Sequence, residues 1–175
     1  MSRLLFFFIT VVVTALITSL LYEPVSVLVY KIVEPNFSCP IKTTGKNLVI
    51  RNDAKGDGEF GAKRRNGRTH SGIDISAGVG TPVYASRSGL LFCGNVPTGY
   101  GKYVMIYHPD GYQTIYGHLS DWSEYSVRKA RRGEIIGFVG KTGNAAGKAI
   151  QPHLHFEIKK DGAAQDPRGL MKTDR

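Results

Sequence analysis

Five histidines stand in the sequence: His70, His108, His118, His153 and His155. Two arrangements among them could do chemistry. In His70-Ser-Gly-Ile-Asp74 an imidazole precedes a carboxylate by four positions. In His153-Leu-His155 two imidazoles flank a leucine within an apolar, β-prone run. Alternate residues of a strand share a face, so His153 and His155 project together, about 6.6 Å apart at the backbone. Leu154 then points the other way, towards a core. A catalytic zinc ion takes three protein ligands from histidine and carboxylate and keeps one position for water. One aspartate and two histidines suffice, which leaves imidazoles over for proton transfer near neutral pH. No His-Glu-x-x-His sequence occurs, so the base is not a glutamate of that motif. His118, in Tyr116-Gly-His-Leu119, reads on its own as a packed or surface histidine. His108 precedes Pro109-Asp110-Gly111, reads as a strand-end residue, and is left outside the site.

These side chains need elements to position them. A straight strand would hold His70 and Asp74 about 13 Å apart, so Ser71-Gly72 must bend the chain. Ile73 and Ile75 then anchor Asp74 against a core. Downstream, short β-branched or aromatic runs recur: Pro82–Ala85, Gly89–Phe92, Lys102–Tyr107, Tyr112–Tyr116, Glu134–Val139 and His153–Ile158. Each is bounded by Gly, Pro, Asp or Asn, and no long 3.6-residue pattern appears. The 21 glycines in 175 residues exceed the usual ~7% and fit many tight turns. The expectation is a mainly antiparallel β domain over residues 47–171, with 172–175 as a tail. Residues 55–68, rich in Gly, Lys and Arg, read as an exposed loop.

The first 40 residues differ in kind. Leu4 to Tyr22 carry no charge, and 19 residues of helix reach about 28 Å, close to the hydrocarbon core of a bilayer. Residues 1–24 therefore read as a transmembrane anchor. A cleaved signal segment is the alternative, but it would have a shorter apolar region and a small-residue cut site. Thr10, Thr14 and Thr18 read as threonines tolerated in a membrane helix. Arg3 marks the cytoplasmic flank, which places the body outside the cytoplasm. Residues 25–46 read as a tether. Charges cancel over residues 1–40, so the net +9 from 23 Lys and Arg against 14 Asp and Glu belongs to the body. Lys63-Arg64-Arg65 and Arg128-Lys129-Ala130-Arg131-Arg132 read as solvated charge, and no nucleic-acid partner is expected. Arg68, two residues before His70, reads as solvated charge with a substrate or structural role as its alternative. Two cysteines, Cys39 and Cys93, are too few for a disulfide framework or a cysteine zinc finger. Nothing in the sequence sets an oligomeric state.

The ordered motifs resemble the lysostaphin-type (LytM-like) zinc metallopeptidases, which cut peptide bonds in bacterial peptidoglycan. They run from Phe60-Gly61 and Arg68-Thr-His70-Ser-Gly-Ile-Asp74 through Gly80-Thr-Pro-Val-Tyr-Ala85, Gly99-Tyr-Gly101 and Tyr116-Gly-His-Leu119. They end at Gly140-Lys-Thr-Gly143 and His153-Leu-His-Phe-Glu157. The resemblance covers about 110 residues. It implies an antiparallel β-sheet groove of the duplicated-hybrid-motif type and one Zn2+ per chain. It implies His70, Asp74 and His155 as the metal ligands, and His118 and His153 as the catalytic pair. It implies a peptidoglycan peptide as substrate and endopeptidase action, in the periplasm or cell-wall space beside the membrane. A membrane-tethered wall-binding scaffold and a carboxypeptidase are the rival readings. Gly147–Pro152 departs from the family pattern as a short insertion expected to border the groove, and Ala77-Gly78 replaces its Ala-Pro.

Overall fold

The computed structural model describes residues 2–42, 48–54, 56–64 and 67–172. Two compact units result, Met1–Pro35 and Asn36–Arg175.

The first unit is one helix, α1 (Arg3–Val33), whose N-terminus Ser2 caps by accepting from the Leu5 amide. It is long and apolar enough to cross a membrane, with a mean hydropathy of 2.7 over its most apolar window. Thr10, Thr14 and Thr18 each donate to the carbonyl four residues back, which satisfies their hydroxyls within the helix. Pro24 lies inside α1 and does not end it. Proline removes one N–H, but the turns on either side keep their own bonds. Residues 25–33, expected as tether, are therefore helical.

The second unit begins earlier than expected. β1 (Phe37–Ser38) pairs in parallel with β13 (Met171–Lys172), and Phe37 and Ile41 are buried in the core. Phe37 packs edge-on against His108 and Tyr112, and the Arg87 guanidinium sits over its ring. These residues stay because apolar burial holds them. The expected boundary at residue 47 itself lies outside the described residues.

β2 (Asn52–Asp53) and β3 (Gly56–Asp57) form a small hairpin. The main sheet contains β4 (Ile73–Ser76), β5 (Pro82–Tyr84), β6 (Gly89–Asn95), β7 (Lys102–Tyr107) and β8 (Tyr112–Trp122). It is completed by β9 (Arg128–Ala130), β10 (Ile135–Val139), β11 (His153–Lys160) and β12 (Ala163–Gln165). Its order is β12-β11-β8-β7-β6-β9; β4 adds to β11, and β10 joins β8 to β5. Every pairing within it is antiparallel. This is the mainly β, antiparallel fold the sequence predicts.

Strand alternation sorts the side chains. Leu154, Phe156 and Ile158 of β11 join Ile73, Ile75, Tyr116, Leu119 and Val139 in the core. His153, His155 and Glu157 take the other face and are buried there too. The helix α2 (Pro167–Leu170) closes the domain, capped by Asp166.

Candidate metal centre

The centre is built on one strand pairing. β11 and β4 run antiparallel with His155 opposite Asp74 and His153 opposite Ser76. His70 lies three residues before β4, and the chain bends at Ser71-Gly72 to return it to Asp74. Gly72 serves this bend differently from the expectation. A Cβ there would meet the Phe156 carbonyl oxygen at 2.3 Å, so absence of a side chain, rather than unusual backbone angles, is what the position requires.

His70, Asp74 and His155 are buried and offer ligand atoms within 4.8 Å of one another. His155 Nδ1 lies 2.8 Å from Asp74 Oδ1, and His70 Nε2 lies 3.1 Å from the same oxygen. The two ring nitrogens are 3.0 Å apart. The outer nitrogens fix the tautomers. His70 Nδ1 donates to the Glu59 carbonyl, and His155 Nε2 donates to Glu157 Oε1. A carbonyl or carboxylate oxygen can only accept, so in the neutral rings the inner nitrogens carry the lone pairs. With the ring protons lost, two lone pairs and a carboxylate oxygen converge at a range where one metal ion could take all three. A single zinc ion fits this donor set: two imidazoles and one carboxylate, each imidazole oriented from behind by an acceptor.

Charge follows the geometry. Burial opposes charge on His155, yet the Asp74 and Glu157 carboxylates outweigh it and hold the imidazolium up to about 9. Burial opposes ionisation of Asp74 as well, but His155 and His70 hold its carboxyl far below the usual range. Glu157 behaves alike: against the burial cost, His155 and Ser71 keep it down to about 2.

His118 and His153 complete the site. Their rings meet edge-to-face at 4.9 Å. His153 Nδ1 donates to the Gln151 carbonyl and His118 Nδ1 to the Thr142 carbonyl, so each keeps a free Nε2. His153 Nε2 lies 3.9 Å from Asp74 Oδ1. Burial pushes both imidazoles towards the neutral form; for His118, helped by His155 and His153, the value falls to about 3. His118 sits mid-strand in β8 rather than at a strand end, at φ +63°. Lys102 pairs with Leu119 and Val104 with Tyr116, so Gly117 and His118 together oppose Tyr103 as a β-bulge. The bulge turns the His118 N–H to the Tyr100 carbonyl at 2.7 Å. Gly101 and Gly143, both at positive φ, bring the Tyr100 and Thr142 loops together; a Cβ on either would lie within 2.5 Å of the other's backbone.

Several residues of the site escaped the sequence reading. The buried Arg51 reaches Asp74 Oδ2 through Nη2 at 2.9 Å and is itself paired with Asp53. Its amide donates to the Asp74 carbonyl, and the Asp74 amide to the Gly58 carbonyl. Glu157 shares the face of His153 and His155, a parity the strand pattern offered. Tyr100 stacks near His155, and burial with the neighbouring Glu157 raises its phenol well above the usual range. The cleft over the cluster, about 890 Å³, is also lined by Lys63, Arg64, Arg68, Asn144 and Ile150. The stretch read as a solvated loop thus faces the site; Lys55, Arg65 and Asn66 lie outside the described residues. Ile150 brings the Gly147–Pro152 segment to the cleft as expected. His108 lies elsewhere, bonded to Ser88 and Thr114. Cys39 and Cys93 are not bonded to each other, and the Cys93 Sγ lies 3.4 Å from the Glu124 carbonyl.

Fold and site together give an antiparallel β domain with a cluster of two histidines and one aspartate that could hold a metal ion. The profile of peptidase family M23 matches residues 68–167, and the chain belongs to that family. It is 45% identical over 100 residues to the DD-carboxypeptidase/endopeptidase Mpg of Neisseria meningitidis, covering 57% of this chain and 22% of that one. A zinc-containing peptidase from Vibrio cholerae superposes with a TM-score of 0.59 at 29% identity, over 79% of this chain and 40% of that one. The catalytic domain of lysostaphin from Staphylococcus simulans gives 0.55 at 32% identity, over 63% and 86%. The chain spans less than a quarter of the Neisseria relative, so the two share one domain.

Proposed function

We propose that this protein is a zinc-dependent endopeptidase of bacterial peptidoglycan, acting on stem or cross-link peptides. α1 holds it in the cytoplasmic or inner membrane with the β domain on the outer side. The observation that carries the reading is the convergence of three ligand atoms with two further neutral imidazoles over one cleft. His70, Asp74 and His155 hold the metal. When bound, zinc polarises a carbonyl oxygen and acidifies water.

The chain's own residues do the rest. His118 and His153 are kept neutral by burial, with Nδ1 tied to a carbonyl and Nε2 open to the cleft. The proton of the attacking water goes to Nε2 of this pair and from it to the leaving nitrogen. Asp74 Oδ1, near His153 Nε2, offsets the positive charge that arises there. Glu157 and the Glu59 carbonyl hold the ligand rings, and Arg51 holds the second oxygen of Asp74.

The test is digestion of purified peptidoglycan by the full chain in detergent, with mass analysis of the fragments. Cleavage between cross-linked stems that a chelator abolishes and zinc restores is expected. Undiminished cleavage in chelator, or in His155→Ala, would sink the reading. The similarity to a relative named for both activities supports carboxypeptidase action as the second reading, and loss of single terminal residues would identify it.

A further inference from the structure

The charges in the cleft are unevenly placed. Arg51, Lys63, Arg64 and Arg68 line it against two acids, Asp74 and Glu157. Both acids are already engaged. Asp74 meets His70 and His155 through Oδ1 and Arg51 through Oδ2. Glu157 meets His155 and Ser71, with Lys159 3.1 Å from its other oxygen. Arg51 is likewise matched by Asp53 and Asp74.

The remaining three cations come from one short segment, closed by a bridge between Lys63 and Thr69. Lys63 and Arg68 are exposed and have no acidic partner among the described residues. Arg64 is held in place: Nη1 donates to the Asp57 carbonyl, and Nη2 lies 3.6 Å from Asp74 Oδ2. Its guanidinium is thus within about one residue length, ~3.8 Å, of the ligating carboxylate. The loops flanking His118 contribute only uncharged side chains, those of Tyr100, Asn144 and Ala145.

Resting on the peptidase reading, we infer that Lys63, Arg64 and Arg68 form a carboxylate-recognition site. The peptide cut here carries a free carboxylate on a residue flanking the scissile bond, received by Arg64 with Lys63 and Arg68. A planar guanidinium matches a carboxylate in shape as well as charge, and a carboxamide of the same shape forfeits the charge. The carboxylate has two chemical sources: the C-terminus of a linear stem peptide, or an internal carboxyl beside a cross-link.

The experiment uses the zinc-loaded full chain in detergent and two pairs of synthetic peptides. One pair is a linear pentapeptide stem as C-terminal acid or amide. The other is a cross-linked stem dimer with the carboxyl next to the cross-link free or amidated. Hydrolysis is followed by kcat and KM, and binding of the corresponding product peptides by calorimetry. At least a tenfold preference for the acid in one pair, chiefly in KM, is expected. The pair that shows it identifies the source. In Lys63→Gln/Arg68→Gln, and separately in Arg64→Gln, the preference shrinks severalfold or more. Equal handling of acid and amide in both cleavage and binding overturns the inference while leaving the peptidase reading intact. So does a preference undiminished in the variants, which would place the carboxylate on the metal. Acid-selective binding without hydrolysis of any peptide keeps the carboxylate site and overturns the peptidase reading instead.

Discussion

His118 shows how much a single residue carries. A non-glycine residue at positive φ is uncommon and costs on the order of 1–3 kcal/mol, and here the strain aims Nε2 into the cleft. His118→Ala should lower kcat by about 10²–10⁴-fold while zinc content stays stoichiometric, as steady-state kinetics beside metal analysis would show. Loss of zinc in that variant would contradict its place outside the ligand set. Arg51 acts through Asp74. Arg51→Leu should weaken zinc binding by about 10–100-fold in a chelator competition. In the proposed ligand set, the metal also competes with protons. His155 is held up to about 9, so zinc must displace its proton at neutral pH. Apparent zinc affinity should therefore rise with pH, by up to about tenfold per unit, and level off near 9. A pH-independent affinity between 6 and 8 would refute this.

At the scale of elements, the site is a matter of register. The His155–Asp74 pair sits opposite across β11 and β4, and Gly72 lets the chain before β4 pass against Phe156. Gly72→Ala should cost about 1–3 kcal/mol of unfolding free energy, measured by denaturant titration, through forced separation at that crossing. The alternation of β11 was legible in the sequence, and it put His153 and His155 on one face with Leu154 behind. By the same parity Glu157 was equally readable. Arg51 was not, because its partner Asp74 is 23 positions away and no local pattern announces that contact. The bulge at His118 was hidden too. It depends on the Tyr100 and Thr142 loops meeting through Gly101 and Gly143, positions distant in sequence from the histidine they serve. Lys63 and Arg64 looked like solvated charge because a run of cations gives no sign of which cavity it borders, whereas Arg68 kept a second reading through its place two residues before His70.

For the whole molecule, the boundary between anchor and domain decides what can be cut away. Apolar composition identified a stretch long enough to cross a membrane, but it gave no sign that the helix continues through Pro24 or that Phe37 belongs to the core. Asn36–Arg175 has its own core, so a chain starting at Asn36 should fold as a soluble unit. One starting at residue 48 loses Phe37 and Ile41. Phe37→Ala alone should cost about 3–5 kcal/mol, read as a lowered denaturant midpoint. Retained stability after truncation to 48 would show that the early segment is dispensable.

The proposed ligand set is also a clock. His70 and His155 are 85 positions apart, and Asp74 and His155 are 81 apart. A chain emerging from synthesis or translocation N-terminus first exposes two ligands long before the third. Its site is incomplete until β11 arrives and pairs with both β4 and β8. Cutting power, on the proposed function, is thus withheld from every partial chain and switched on by completion of the sheet.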